Sequence, residues 1–258
     1  MAKIVYFCLK KLLRMNTSKD WFASWFDTSY YHILYKYRDQ KEARLFMANL
    51  VVFLGLKYHD KILDLACGKG RHSLFLNSLG FDVVGADLSQ NSIDHANEFS
   101  NETLRFVQRD MRHPLNLKYD AIFNLFTSFG YFENDSEDLQ VLENIKNALK
   151  SDDSVAVIDF LNVEKAVKNM TTEERILRNN LKFNISRSFK NGFIIKKIEV
   201  VTPTETLNYF ERIKYLDLKK IQSYLDAKGL KLTHTFGDYD LQEFDVENSN
   251  RLILIITK

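Results

Sequence analysis

Residues 61–73, KILDLACGKGRHS, constrain the fold more than any other stretch of the chain. An apolar run carrying one acid, Asp64, leads into small residues and two glycines, Gly68 and Gly70, and then into a helix-forming stretch. This is a strand, a glycine turn and a helix, an arrangement that brings backbone N–H groups and a helix N-terminus to a bound nucleotide. Two phosphate cradles do not fit it. A Gly-x-Gly-x-x-Gly turn needs a third glycine where Ser73 stands, and no Gly-Lys-Ser/Thr follows. A carboxylate at the strand's end repels pyrophosphate and suits a ligand that carries an ammonium group. The bland alternative is a plain strand-to-helix turn.

The alternation around this segment sets the fold class. Residues 17–58 read as helical, with Thr17 or Ser18 capping a short turn that bears Trp21, Phe22, Trp25 and Phe26. A longer helix then carries Ile33, Leu34, Tyr37, Leu45, Phe46, Leu50, Val51 and Leu54 until Gly55 breaks it. After the first strand a helix runs to Gly80, DVVGADLS is a second strand, and Ser89 caps a helix over QNSIDHANEF. LRFVQRD and YDAIFNLF are the third and fourth strands. SEDLQVLENIKNALK is an amphipathic helix beginning at Asp135 or Ser136, and SVAVIDFLN is the fifth strand. Short strands alternating with helices predict right-handed crossovers and a parallel sheet covered on both faces.

From about residue 163 the pattern turns antiparallel. Asn191-Gly192 supplies a two-residue hairpin turn, and ETLNYFERIKYL reads as a third antiparallel strand. A helix capped by Asp217 and stopped by Gly229 follows, and two closing strands return to the main sheet. The expectation is an α/β protein with a Rossmann-like, doubly wound, mainly parallel seven-stranded sheet, an N-terminal helical lid and an antiparallel β-rich insertion.

Composition removes other classes. A formal net charge of +2 over 258 residues gives no strong nucleic-acid footprint, and the basic residues alternating through 186–215 fit the solvated face of a sheet better than an RNA-binding face. Cys8 and Cys67 make neither a disulfide framework nor a zinc site, so a cytoplasmic setting and no metal are expected. No run approaches the roughly 18 apolar residues of a spanning helix. In MAKIVYFCLKKLLRM, Lys10-Lys11 interrupts the apolar stretch and no small-residue cleavage site follows, so residues 1–16 read as a helical extension.

Two further acids close strands. Asp87, ending the second strand before Ser89, is placed to take both hydroxyls of a ribose, or to serve as a loop acid. Asp110, ending the third, can accept from an adenine amino group while Met111 covers the ring and offers its amide. A solvent-facing turn acid is the alternative.

ILDLACGKGRH, VVGADLS, QRDMRHPL and YDAIFNLFTSFGYF together resemble class I S-adenosylmethionine-dependent methyltransferases, in order and spacing, over about residues 60–160. WFDTSYYHILYKYRDQKEA, ERIKYL, FGDYDL and NSNRLILI resemble a bacterial subgroup acting on small molecules, in which a β-rich insertion covers the cofactor. One departure is Ala66, which stands where the family has its first loop glycine. The resemblance implies S-adenosylmethionine as cofactor. It places Gly68 and Gly70 at the methionyl portion with Asp64 and Ala66 around it, Asp87 and Leu88 at the ribose, Asp110 and Met111 at the adenine, and Asn124 and Leu125 beside the sulfonium. Arg38, with Arg44 as a rival, would meet the methionyl carboxylate. The implied domains are an extension (1–16), a helical lid (17–58), a core (59–162 and 217–258) and an insertion over the active site (163–216).

A sulfonium is attracted to aromatic faces by about 0.5–2 kcal/mol, which brings Phe126, Phe129, Tyr131 and Phe132 forward, though most of these rings read equally well as core. Methyl transfer is an in-line displacement needing orientation and exclusion of water more than an activated side chain. A base for the acceptor's proton is sought among His32, Tyr131, Tyr35 and His113, with His32 and Tyr131 preferred. Tyr35, Phe126, Phe129, Phe132, Arg212 and Tyr215 are expected to line the acceptor pocket. The expected reaction methylates a nitrogen or oxygen of a small-molecule acceptor and releases S-adenosylhomocysteine. An RNA or protein methyltransferase and a non-catalytic cofactor-binding protein are the alternatives, and a homodimer is left open.

Overall fold

The structure, a computed structural model, describes residues 21–36 and 40–258. Thr17, Ser18, Tyr37, Arg38 and the 1–16 extension lie outside the described residues. The described residues divide into two compact units, 21–36 with 170–213, and 40–169 with 214–258.

The larger unit is built on a seven-stranded sheet. Its strands are β1 (Lys61–Leu65), β2 (Asp82–Asp87), β3 (Leu104–Gln108), β4 (Ala121–Asn124), β5 (Val155–Leu161), β10 (Lys231–Phe236) and β11 (Arg251–Thr257). Their order is β10-β11-β5-β4-β1-β2-β3. The pairs β1·β2, β1·β4, β2·β3 and β4·β5 are parallel, and β11 runs antiparallel to both β5 and β10. Strands buried on both faces read as continuous apolar runs. Every residue of β4 is buried, as is every residue of β1 after Lys61. Helix α3 (Gln40–Leu54) packs Phe46, Met47 and Leu50 into the same core as Ile62, Phe123 and Ile253, and Gly55 ends it with φ +61°.

Local chemistry sets the helix boundaries. Gly70, with φ +79°, opens α4 (Arg71–Ser78), and the Ser89 hydroxyl accepts from the Ser92 amide to open α5 (Gln90–Asn97). The helix α6 (Asp135–Ala148) starts at Asp135, one of the two starts the sequence offered. Asn134 is its cap, in a reciprocal capping box with Glu137. A short helix, α7 (Val163–Lys168), follows β5 and is capped by Asn162. Asp217 accepts from the Lys220 amide at 2.7 Å to open α8 (Leu218–Lys228), and Gly229, φ +60°, closes it as expected.

The smaller unit holds α1 (Trp21–Trp25), α2 (Ser29–Leu34) and a sheet of β6 (Glu173–Arg178), β7 (Leu181–Lys190), β8 (Phe193–Val201) and β9 (Thr206–Lys214), in that order. Asn191-Gly192 makes the β7–β8 turn with φ +52° and +75°. Asn179-Asn180, φ +47° and +61°, makes a second two-residue turn between β6 and β7, so the sheet has four strands where the sequence suggested three. The single long helix expected after residue 33 is interrupted. Thr28 caps a separate α2, which ends at Leu34. Glu211 on β9 accepts from Trp25 Nε1 at 2.8 Å and the Tyr35 hydroxyl at 2.6 Å, with Lys196 3.5 Å away. A buried carboxylate costs folding energy unless paired in this way.

The last residue of β9, Lys214, belongs to the larger unit. It is buried against Asp138 and 3.1 Å from Asp135, and its amide donates to the Gly130 carbonyl at 3.1 Å. This pairing ties the start of α6 to the loop after β4. Among the described residues no helix is long and apolar enough to cross a membrane.

Candidate active site

In a doubly wound sheet, ligands sit beyond the carboxyl ends of the strands, where the strand order reverses. Here β1 lies between β2 and β4, and the chain moves to one side through β2 and β3 and to the other through β4 and β5. The segments 64–70, 87–88, 110–111 and 124–125, separated by up to about 60 positions in the chain, therefore lie along one edge.

The turn after β1 is held from β2. Ala66 and Cys67 donate their amides to the Ala86 carbonyl at 2.7 and 3.0 Å. Ala66 has φ +66°, a left-handed conformation costing an alanine about 1–2 kcal/mol. Gly68 (φ +55°) has open space on the side where a Cβ would stand. Gly70 has none: a Cβ there would lie 2.6 Å from the Phe106 ring, and at Gly85 2.5 Å from it. Gly70 and Gly85 are thus glycines of packing, whereas the Cβ side of Gly68 is open.

Asp87 joins three segments. Its Oδ2 accepts from the Gly68 amide and its Oδ1 from the Ser89 amide, both at 2.8 Å, so β2, the glycine turn and the start of α5 meet on one carboxylate. Asp64, 1% exposed, accepts from the Ser73 hydroxyl at 2.6 Å and anchors α4 to the sheet. The neighbouring Cys67 is a buried thiol, which burial pushes well above its usual range.

Asp110 is more heavily engaged than its sequence suggested. It accepts the Arg112 amide at 2.9 Å and a forked contact from the Arg112 guanidinium, with Nη2 at 2.6 Å. Burial raises the Asp110 carboxyl, but Arg112 outweighs it and the net position is below the usual range. Arg112 also reaches Glu137 at 2.9 Å and lies 4.8 Å over the Phe132 ring. The carbonyl of Met111 accepts from Asn144 at 2.9 Å. Asn124, fully buried at the end of β4, donates to the Leu65 carbonyl at 3.0 Å. Its Oδ1 is buried with no hydrogen-bond partner among the described residues. Buried acceptors without a partner are rare in folded proteins.

Phe126 follows Leu125 and lies against the glycine-turn helix. Its ring stacks on His72 at 4.9 Å and 11°, with the Arg71 guanidinium 5.1 Å away. Burial, with Arg71 adding to it, pushes His72 down to about 3. The ring is therefore neutral, and its Nε2 accepts from Arg71 Nη2 at 3.2 Å. Neither residue was singled out from the sequence, although both stand in its most informative segment.

Residues 62–152 match the family model described as a methyltransferase domain. Glycine/sarcosine N-methyltransferase of Halorhodospira halochloris is 36% identical over 110 residues, covering 40% of this chain and 41% of that protein. YqeM of Bacillus subtilis is 32% identical over 94 residues, or 35% of this chain and 38% of that protein. These matches span about two fifths of the length of the two relatives. A solved S-adenosylmethionine-dependent methyltransferase from Clostridium acetobutylicum shares the fold, with a TM-score of 0.75 and 18% identity over 88% of this chain and 95% of that one. Residues 62–152 carry a methyltransferase domain, in a fold shared with a solved S-adenosylmethionine-dependent methyltransferase.

Within the methyltransferase domain the edge gathers Asp64, Ala66, Gly68, Gly70, Asp87, Leu88, Asp110, Met111, Asn124, Leu125 and Phe126. Phe129 and Phe132 are buried, and Tyr131 is half-buried in the same loop. Tyr215 is half-buried near Glu164 and Asp217. His32, Tyr35 and Arg212 belong to the smaller unit. There His32 packs on Tyr31 at 5.4 Å, and Arg212 lies 4.6 Å over Phe193. Arg38 lies outside the described residues, and its rival Arg44 is exposed on α3.

The two turn glycines should separate cleanly on substitution. Gly70→Ala combines left-handed strain with a clash on Phe106 and should cost about 2–4 kcal/mol in denaturant unfolding. Gly68→Ala should cost about 1 kcal/mol, the strain alone. Equal losses would refute the packing assignment.

Proposed function

We propose that the chain transfers a methyl group from S-adenosylmethionine to a nitrogen or oxygen of a small molecule, releasing S-adenosylhomocysteine. The observation that carries this reading is the convergence of Gly68, Asp87, Asp110 and the orphaned Asn124 amide on the carboxyl edge of a methyltransferase domain. The similarity to a glycine/sarcosine N-methyltransferase supports a small acceptor, as does the shared fold of a sugar N-methyltransferase, KedS8 of Streptoalloteichus (TM-score 0.68, 17% identity, 88% of this chain and 92% of that one).

Bound S-adenosylmethionine supplies a methyl group activated by positive sulfur. The residues of the chain hold and orient. Asp87, whose two oxygens are fixed by backbone amides, keeps lone pairs for a ribose diol. Asp110, fixed by Arg112, and the half-buried Met111 serve an adenine in the same manner. Asn124 Oδ1, unpartnered among the described residues, would accept a donor from the methionyl portion beside the sulfonium, and the open face of Gly68 would admit that portion against the backbone. Phe126 offers an aromatic face to positive charge. Leu125 and the buried rings of Phe129 and Phe132 exclude water from the end of β4. Tyr131 is the side chain of this unit proposed to receive the acceptor's proton.

Titration calorimetry with S-adenosylmethionine and S-adenosylhomocysteine tests the reading. Both should bind at micromolar levels, and Asp87→Ala should weaken both by about a hundredfold, as expected when charged hydrogen bonds to a diol are lost. No binding by the unmodified protein sinks the proposal, and unchanged affinity in the variant sinks the ribose assignment.

The pH dependence follows from Asp64. Burial pushes its carboxyl up to about 6, with the Ser73 bond pulling the other way. The folded value lies above the unfolded one, so this contribution to ligand-free stability is complete below about pH 4 and is lost as pH rises through about 6. A cationic ligand reverses the preference by favouring the carboxylate. Cofactor affinity should therefore fall as pH drops through about 6, by at most about tenfold per pH unit, and Asp64→Asn should flatten the profile. A wild-type profile already flat between about pH 5 and 8 would contradict the role given to Asp64.

A further inference from the structure

Two consecutive residues after β4 have left-handed backbones although neither is glycine: Phe126 at φ +58° and Thr127 at φ +62°. The conformation is rare for a bulky or β-branched side chain and persists only where its surroundings enforce it. The enforcing contacts come from one residue of β5. The Phe126 amide donates to Asp159 Oδ2 at 2.8 Å, and the Thr127 amide donates to the Asp159 carbonyl at 2.9 Å.

Asp159 is itself wholly buried within an apolar strand, where an unpaired charge is not tolerated. Arg251, at the start of β11, answers it. Its Nε donates to Asp159 Oδ1 at 2.7 Å, while its Nη2 donates to Thr127 Oγ1 at 2.9 Å and to the Asp159 carbonyl at 3.4 Å. Tyr239 donates its hydroxyl to Asp159 Oδ2 at 3.4 Å and sets its ring 5.3 Å from that of Phe126. A buried ion pair is poor evidence of stabilisation by itself, since apolar residues would close the sheet as well. This pair differs in where its donors and acceptors go: both members bind the strained turn directly.

We infer that Asp159 and Arg251 are positioning residues of the methyltransferase site, a clamp that keeps Phe126–Thr127 left-handed. The clamp fixes the direction in which the chain leaves Asn124 and Leu125. It holds the Phe126 ring on His72 and Arg71, beside the glycine turn. Through this turn, residues of β5 and β11 that touch no ligand set the geometry of the residues that do. The inference rests on the reading of this edge as the cofactor site.

The test uses Arg251→Met, with Arg251→Lys as the milder variant and Thr127→Gly as the rescue. In ligand-free protein, Arg251→Met should lower the melting temperature, and adding Thr127→Gly should regain about half or more of the loss, because glycine accepts the left-handed turn without a clamp. At a temperature where circular dichroism shows each variant folded, Arg251→Met should weaken S-adenosylhomocysteine binding about tenfold, and the double variant should bind within about threefold of the unmodified protein. A merely structural pair would lower the melting temperature, leave the affinity of the folded protein unchanged and give no rescue by glycine, and either result overturns the inference. If Arg251→Met does not fold, Arg251→Lys decides, with about threefold weaker binding expected and unchanged binding overturning the clamp. Failure of the unmodified protein to bind S-adenosylhomocysteine would instead remove the functional reading on which the clamp depends.

Discussion

The carboxylate of Asp87 is the junction on which the site depends. One oxygen takes the Gly68 amide and the other takes the Ser89 amide, so the β1 turn, the end of β2 and the start of α5 share a single anchor. The anchor ends β2, next to β1, and the other segments of the edge are placed relative to it by the parallel register of β1, β2, β3 and β4. Ionised carboxylates make hydrogen bonds roughly twice as strong as neutral acceptors do, which suits Asp87 to stabilise a turn containing a left-handed alanine and two left-handed glycines.

Around that junction, charge is distributed in layers. Asp64 is buried, bonded to Ser73 and raised by burial. Asp110 lies further out, ionised and fixed by Arg112. Asp159 lies on the far side of β4, paired with Arg251 and bound to a strained turn. Each acid has a partner that fixes its direction, which is how a site holds polar groups in place before a ligand arrives.

The sheet was legible because its signals are local. Apolar strands with acids at their ends, glycines in the turns and caps at Ser89 and Asp217 are all read from a few neighbouring residues, and the structure has them where the sequence put them. The Asn191-Gly192 turn was legible for the same reason. Asn179-Asn180 was not, since asparagine adopts a left-handed backbone less readily than glycine and β6 shows an uneven pattern of charge. The break between α2 and α3 was missed because apolar spacing continues across it. In the site, the acids at strand ends could be named from the sequence, but their partners could not. Arg251 lies 92 positions from Asp159 and Asn124 lies 59 from Leu65. One clue was available: an aspartate within the apolar run SVAVIDFLN must be paired, and NSNRLILI supplies the cation.

A crystal structure of the protein with S-adenosylhomocysteine tests the central claim most directly. Ribose hydroxyls are expected on the Asp87 carboxylate, the adenine beside Asp110 and Met111, and the amino-acid tail within hydrogen-bond reach of Asn124 Oδ1. A ligand bound away from the carboxyl ends of β1, β2 and β4, or one that leaves Asp87 untouched, would contradict the claim.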